Sequence, residues 1–367
     1  DRGRDVSHFR YFANPHTRGA LADWLTLGPT SARSAFRTLP ALDDPALAFV
    51  PDSVRRGEPQ TQPIVVLLPG VMGTHLAVRE ADGELDRIWL DPFDIAKGGL
   101  KSLAWGQPGV QAQELFSLFY GALARELQKT HVVRRFPYDW RQPLDVLADA
   151  FARFLDEEVL KEAGDRPVRL LAHSMGGLVV RATIHKHRAL MDRVMRRDGA
   201  RLVMCGTPHQ GAHSMVENLL GKGDTLRTLV RLDLANDMQE VLDIVAGFRG
   251  ALALLPRPGF SDTFQGEEGG GGTFDYQDPD TWAAFAPKVK DFWFGDGKVG
   301  RPSREVLRAA SWLWEQDRRA FGADKPSLPA EYAACSIYVF GVDTNTPCGV
   351  REDARGRLRM VGTTRGD

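Results

Sequence analysis

Short apolar runs recur along the chain, separated by stretches with helical spacing. "PIVVLLPG" (63–70) is a continuous β-branched and leucine run closed by Pro-Gly, the pattern of a strand buried on both faces. "HVVRRF" (131–136), "PVRLLAH" (167–173), "ARLVMCGTP" (200–208) and "CSIYVFG" (335–341) are further short runs, and each predicts a strand. Between them, "ELFSLFYGALARELQKT" (114–130), "PLDVLADAFARFLDEEVLKEAG" (143–164) and "GLVVRATIHKHRAL" (177–190) have helical spacing, as does "REVLRAASWLWEQDRRAFG" (304–322). Alternating strands and helices of these lengths predict an α/β fold with a mostly parallel central sheet.

Two regions break that rhythm. Residues 1–60 carry prolines and one short apolar helical pattern near "GALADWLTLG", and are expected to pack on the core as an extension. Residues 211–300 hold helical stretches, a Pro-rich turn and "GEEGGGG", and are expected to form a helical insertion with a mobile loop. The core is therefore expected over 61–210 and again over 301–367.

Composition narrows the function classes. A formal net charge of −1 points to neither nucleic acid nor an acidic membrane. Cys205, Cys335 and Cys348 have no metal-ligand spacing and make no disulfide framework, although the spacing leaves a Cys335–Cys348 bridge open. A reducing, cytoplasmic setting is the expectation, with neither cofactor nor metal. No apolar run approaches the ~20 residues of a membrane helix.

The most informative stretch is "LLAHSMGGLVV" (170–180). Small residues two before and two after Ser174 let a strand turn sharply into a helix. Such a turn lifts the hydroxyl above the sheet and aims the next backbone N–H, that of Met175, at a developing oxyanion. The competing reading is a serine that merely caps the helix. "LLPGVMGTHL" (67–76) favours chemistry, because it follows the first core strand, where such enzymes place a second oxyanion donor. Val71 is the residue expected there.

"LLPGVMGTHL", "IWLDPFDIAKGGL" (88–100), "FPYDWRQP" (136–143), "AHSMGG" (172–177) and "GTPHQGA" (206–212) together resemble the lecithin:cholesterol acyltransferase-like branch of the α/β-hydrolases. The resemblance covers roughly 63–367, and "PYDWR" is its most specific piece. It implies a Ser-Asp-His lipase, phospholipase A or acyltransferase with a helical cap after the fourth strand, in which "FRGALALLPRPG" (248–259) looks like the cap's "LLP" element. Asp139 and Arg141 are expected to pair while Tyr138 and Trp140 pack. Met72, Trp89, Trp105 and His209 are expected beside the substrate; for the tryptophans, core packing is an equal reading.

In this family the acid lies in a Gly-Asp-Gly-Thr-Val-like turn and the histidine follows it. Asp367, last in "MVGTTRGD", resembles that acid, with Asp343 as an alternative. All nine histidines lie at or before His213, so the catalytic histidine is expected beyond residue 367 and the chain is expected to be part of a longer polypeptide. His209 and His213 are the fallback bases, though the family's chain order argues against both. The expected partners are a lipid or ester substrate, a membrane surface touched transiently through the cap, and further domains of the same polypeptide, with no nucleic acid. A small-ester or thioester hydrolase and a catalytically dead binding module are the competing functions.

Overall fold

The computed structural model describes residues 12–27, 61–79, 83–258, 260, 274–322, 328–341 and 346–363. The N-terminal helix α1 (Pro15–Leu27) precedes β1 (Ile64–Leu68), which is buried at every position, as its unbroken apolar run requires. An antiparallel three-stranded sheet follows, built from β2 (Thr74–Arg79), β3 (Leu85–Trp89) and β4 (Val110–Leu115), with the short helix α2 (Pro92–Ala96) between β3 and β4. The alternation along these strands is weak, and the apolar pattern did not predict them.

The core then alternates as expected. Helix α3 (Ser117–Leu127) leads to β5 (Val132–Arg135), and α4 (Leu144–Phe154) passes through a π turn at Leu155–Val159 into α5 (Leu160–Ala163). Next come β6 (Val168–His173), α6 (Met175–Lys186), α7 (Arg188–Met195) and β7 (Arg201–Cys205). The stretch read as one helix over 177–190 breaks at His187, whose Nε2 lies 2.7 Å from Asp149 Oδ1 on α4.

Within 211–300 the described residues contain α8 (His213–Leu219), α9 (Asp224–Leu232), α10 (Met238–Val245), α11 (Arg249–Leu252) and α12 (Pro279–Phe285), and no strand of the central sheet. The "GEEGGGG" segment (266–272) and most of residues 1–60 lie outside the described residues. The helix expected over 304–322 is two, α13 (Arg304–Ala310) and α14 (Trp312–Phe321). Ser311 parts them, its hydroxyl donating to Arg308 O at 3.1 Å in competition with the helical backbone. The chain closes with β8 (Ser336–Val339) and an unforeseen antiparallel hairpin, β9 (Thr346–Glu352) and β10 (Leu358–Thr363).

The central sheet runs β5-β1-β6-β7-β8, all parallel. Leu21 and Leu25 of α1 pack with Val65, Leu67, Leu171 and Val203 on one face, so the N-terminal helical pattern serves as cover for the sheet. On the other face α4 and α6 pack together over a large core that includes Phe136, Phe151 and Leu178. Cys335 and Cys348 are not cross-linked; the Cys335 thiol donates to Tyr332 O at 3.3 Å.

One buried histidine sets a pH limit. His131 Nε2 accepts from Arg169 Nη1 at 2.9 Å, and burial, aided by that guanidinium, pushes its imidazole from 6.5 down to about 3. A folded-state pKa below the unfolded one means that the unfolded chain binds the proton first. The associated stability is therefore present above pH 6.5 and is lost as pH falls toward 3. We expect about 2 kcal/mol of destabilisation from His131 between pH 7.5 and 5.0. Urea midpoints at the two pH values measure it. His131→Gln should be less stable at pH 7.5 but should lose correspondingly less on acidification.

Candidate active site

Parallel register brings the conspicuous motifs together. Leu68 pairs with Ala172, His173 with Cys205, and Cys205 with Val339. The turns that follow β1, β6, β7 and β8 therefore leave the sheet side by side at its carboxyl edge, where open α/β sheets bind ligands. "PYDWR" joins them, because Leu67 pairs with Arg135 and Phe136 N donates to Leu67 O at 3.1 Å.

Ser174 occupies the turn between β6 and α6 with φ 50° and ψ −122°, a conformation that a non-glycine residue adopts only under constraint from its surroundings. The constraints are visible. Ser174 N donates to Cys205 O at 2.8 Å, and Gly177 N to Ser174 O at 3.0 Å. A Cβ on Gly176 would lie 2.6 Å from Pro69 O, and one on Gly177 would collide with Thr207 Oγ1. Both glycines are therefore dictated by the flanking loops rather than by the helix. Ser174 itself is 4% exposed, and Met175 begins α6, so its N–H belongs to the set with no intrahelical acceptor.

The loop after β1 lies directly against the serine: a Cβ built on Gly70 would stand 2.9 Å from Ser174 Cβ. Two buried tyrosines hold this loop. Tyr138 Oη donates to Pro69 O at 2.7 Å, and Gly70 N donates to Tyr120 Oη at 2.8 Å. Burial pushes both phenols above their ordinary range, so both stay protonated. Tyr120 Oη, which accepts from Gly70 N, also lies within hydrogen-bond distance of His173 Nδ1, at 2.9 Å. Tyr120 is a residue that sequence reasoning missed, since within α3 it looks like any other core position.

Val71 and Met72 continue the loop. Met72 takes φ 61°, and Trp89 Nε1 donates to its carbonyl at 3.0 Å. Trp89 also meets Trp140 edge-on at 5.3 Å, so it braces the loop as well as filling the core. Trp105 lies farther out, beneath the Arg249 guanidinium at 4.1 Å, and links the core to α11. Asp139 and Arg141 pair as expected, in a fork of 2.9 and 2.7 Å, and Arg141 Nη1 also donates to Leu103 O at 2.6 Å. Trp140 does more than pack: its Nε1 donates to Thr74 O at 3.2 Å.

"GTPHQGA" runs beside the elbow and is clamped by the "LLP" element. Ala212 N donates to Leu254 O at 2.7 Å, and Arg257 N to Gln210 O at 3.0 Å. His209 packs edge-on against Tyr338 at 5.1 Å. Burial, then Arg181, pushes its imidazole down to about 3, so it is neutral at physiological pH and weakly basic. His213 is buried at the start of α8 against Phe260 and Tyr276.

Asp343 and Asp367 lie outside the described residues. The hairpin before Asp367 is described, and Thr363 pairs with Thr346 at its open end. Among the described residues no cluster of His, Cys, Asp or Glu could hold a metal ion, and no helix is long and apolar enough to cross a membrane.

A parallel sheet flanked by helices, with a serine on a strained strand-to-helix turn under a loop from the first core strand, is the arrangement of the α/β-hydrolase fold. Residues 96–256 match the family model described as Lecithin:cholesterol acyltransferase, the branch that "PYDWR" and "AHSMGG" resemble. A stretch of 89 residues is 33% identical to an uncharacterized protein of Saccharomyces cerevisiae; it covers 24% of this chain and only 12% of that protein. Among solved structures the chain is similar to the Tle4–Tli4 complex (TM-score 0.45, 16% identity, 82% of this chain and 84% of that one). It is also similar to the mature Bacillus licheniformis lipase BlEst2 (TM-score 0.28, 18% identity, 54% and 60%).

Proposed function

We propose that the chain is a serine esterase of the lipase, phospholipase A or lipid acyltransferase kind, working through an acyl-enzyme on Ser174. One observation carries this reading: Ser174 is held at φ 50° with the Gly70 loop packed on its Cβ, which a serine serving only as a helix cap does not require. Ser174 Oγ attacks the ester carbonyl carbon, its proton passing to a general base. The N–H groups of Met175 and Val71 receive the oxyanion. Collapse breaks the bond to the leaving alcohol, and water or a second alcohol then takes the acyl group from Ser174. Asp367 is the proposed acid. His209, neutral and weakly basic, is assigned to the wall of the substrate site with Met72, Trp89 and Trp105.

Residues 211–300 act as the cap in this proposal. Their α11 reaches the nucleophile region, where Gly250 N donates to Arg141 O at 2.9 Å and a Cβ on Gly250 would stand 3.0 Å from Met175 Cε. An apolar cap at that point shields a long acyl chain and excludes water.

The test is a fluorophosphonate probe applied to the full native polypeptide, followed by turnover of phospholipid and of short p-nitrophenyl esters with and without an alcohol acceptor. Labelling confined to Ser174, with long-chain lipid esters preferred, is the expected result. Preference for short esters would reassign the protein to small-ester hydrolysis. Inertness to probe and substrates alike would leave a binding module.

A further inference from the structure

We propose that Tyr120 is a positioning residue for ester cleavage: its hydroxyl, acting through Gly70 and His173, fixes the gap between Ser174 and the oxyanion donor on the loop after β1. The inference rests on the serine-esterase reading and adds to it a side chain from α3.

A phenol oxygen has one proton and two lone pairs, enough for two hydrogen bonds at a buried site. Gly70 N donates to Tyr120 Oη at 2.8 Å, and His173 Nδ1 lies 2.9 Å from the same oxygen. Whichever group supplies the proton on the His173 side, one atom ties the β1 loop to the last residue of β6. Both tied residues stand one peptide away from a reacting group. Val71 follows Gly70, and Ser174 follows His173.

The loop fits closely around that oxygen. A Cβ on Gly70 would stand 2.9 Å from Ser174 Cβ and 3.1 Å from His173 Nδ1, and one on Gly73 would stand 2.8 Å from Tyr120 Oη. Gly73 N donates to Gly70 O at 3.1 Å, so residues 70–73 turn about the phenol, and the missing side chains permit the approach. Phe116 N donates to Gly73 O at 2.9 Å, and Tyr120 N to Phe116 O at 3.1 Å, which fastens the start of α3 to the same turn.

Phe12, just before α1, closes the cluster. Its buried ring meets His173 edge-on at 5.0 Å and Tyr120 at 5.5 Å, and Arg18 Nη1 donates to Phe12 O at 2.9 Å. Tyr120 and His173 are buried as well, so water cannot replace the hydroxyl. Removing it leaves Gly70 N–H without its partner and frees the loop to shift against the serine. A misplacement of about 1 Å at a reacting centre can cost roughly a hundredfold in rate.

Tyr120→Phe in the full native polypeptide tests this, since it keeps the ring against Phe12 and removes one oxygen. We expect kcat and the fluorophosphonate labelling rate at Ser174 to fall about ten- to a hundredfold, with KM within about twofold of wild type. His173→Leu, which takes away the hydroxyl's other partner, should show the same split. The double variant should lose much less than the product of the two single losses, because both act through one hydrogen-bonded unit. His131→Gln removes a buried hydrogen bond at the amino end of β5 and should leave kcat unchanged when all variants are assayed well below their melting temperatures. A Tyr120→Phe protein that loses thermal stability but keeps the wild-type kcat would overturn the inference while leaving Ser174 as nucleophile. Losses that multiply in the double variant would overturn it too. Wild type that neither labels nor turns over ester would overturn both readings.

Discussion

Ser174→Ala is expected to remove fluorophosphonate labelling entirely and to lower kcat for ester cleavage by about 10⁵–10⁶-fold, with KM nearly unchanged. Alanine retains the Cβ that meets the Gly70 loop, so the turn keeps its packing and only the nucleophile is lost. The residual rate should reflect the oxyanion donors, a contribution of roughly 10³–10⁴-fold over water in triad enzymes. Side-by-side labelling and stopped-assay kinetics measure both quantities. If the variant labels as fully as wild type, Ser174 is not the nucleophile.

The second large effect concerns a buried ion pair behind the elbow. Arg181 on α6 pairs with Asp317 on α14, both almost wholly buried, and Asp317 also lies 2.8 Å from His185 Nε2. Arg181 Nη1 donates to His209 O at 3.3 Å, so the pair joins α14 to the loop beside the serine. Asp317→Ala strands a guanidinium in the core and is expected to destabilise the fold by about 3–5 kcal/mol. Replacing both partners, with Arg181→Met and Asp317→Leu, should recover most of that stability, because the penalty comes from the uncompensated charge. Urea denaturation of the three proteins decides it. If the double variant is no more stable than Asp317→Ala, the hydrogen bonds to His185 and His209 outweigh the charge.

What could be read in advance depended on the range of the interaction. β1 is an unbroken apolar run because both faces of a central parallel strand are covered, and β6 is buried throughout with only Arg169 and His173 interrupting its apolar residues, so both announce themselves. The turn at Ser174 was equally legible, because small residues at Ala172 and Gly176 are a local requirement. By contrast, β2 to β4 are partly exposed and alternate irregularly, and β9–β10 is specified mainly by cross-strand pairing. The break at Ser311 was hidden because the flanking stretches share one helical period.

The sequence by itself determined the order of strands and helices, the sharp turn at Ser174, and the resemblance carried by "PYDWR" and "AHSMGG". All of these reside in contiguous residues whose spacing mirrors local backbone geometry. Tertiary structure alone decided that Tyr120 and Tyr138 hold the Pro69–Gly70 loop, that Asp317 neutralises Arg181, and that Gly177 is required by Thr207. Those partners lie between 30 and 136 positions apart, and no periodicity encodes a contact made only when a sheet's register brings distant turns to one edge.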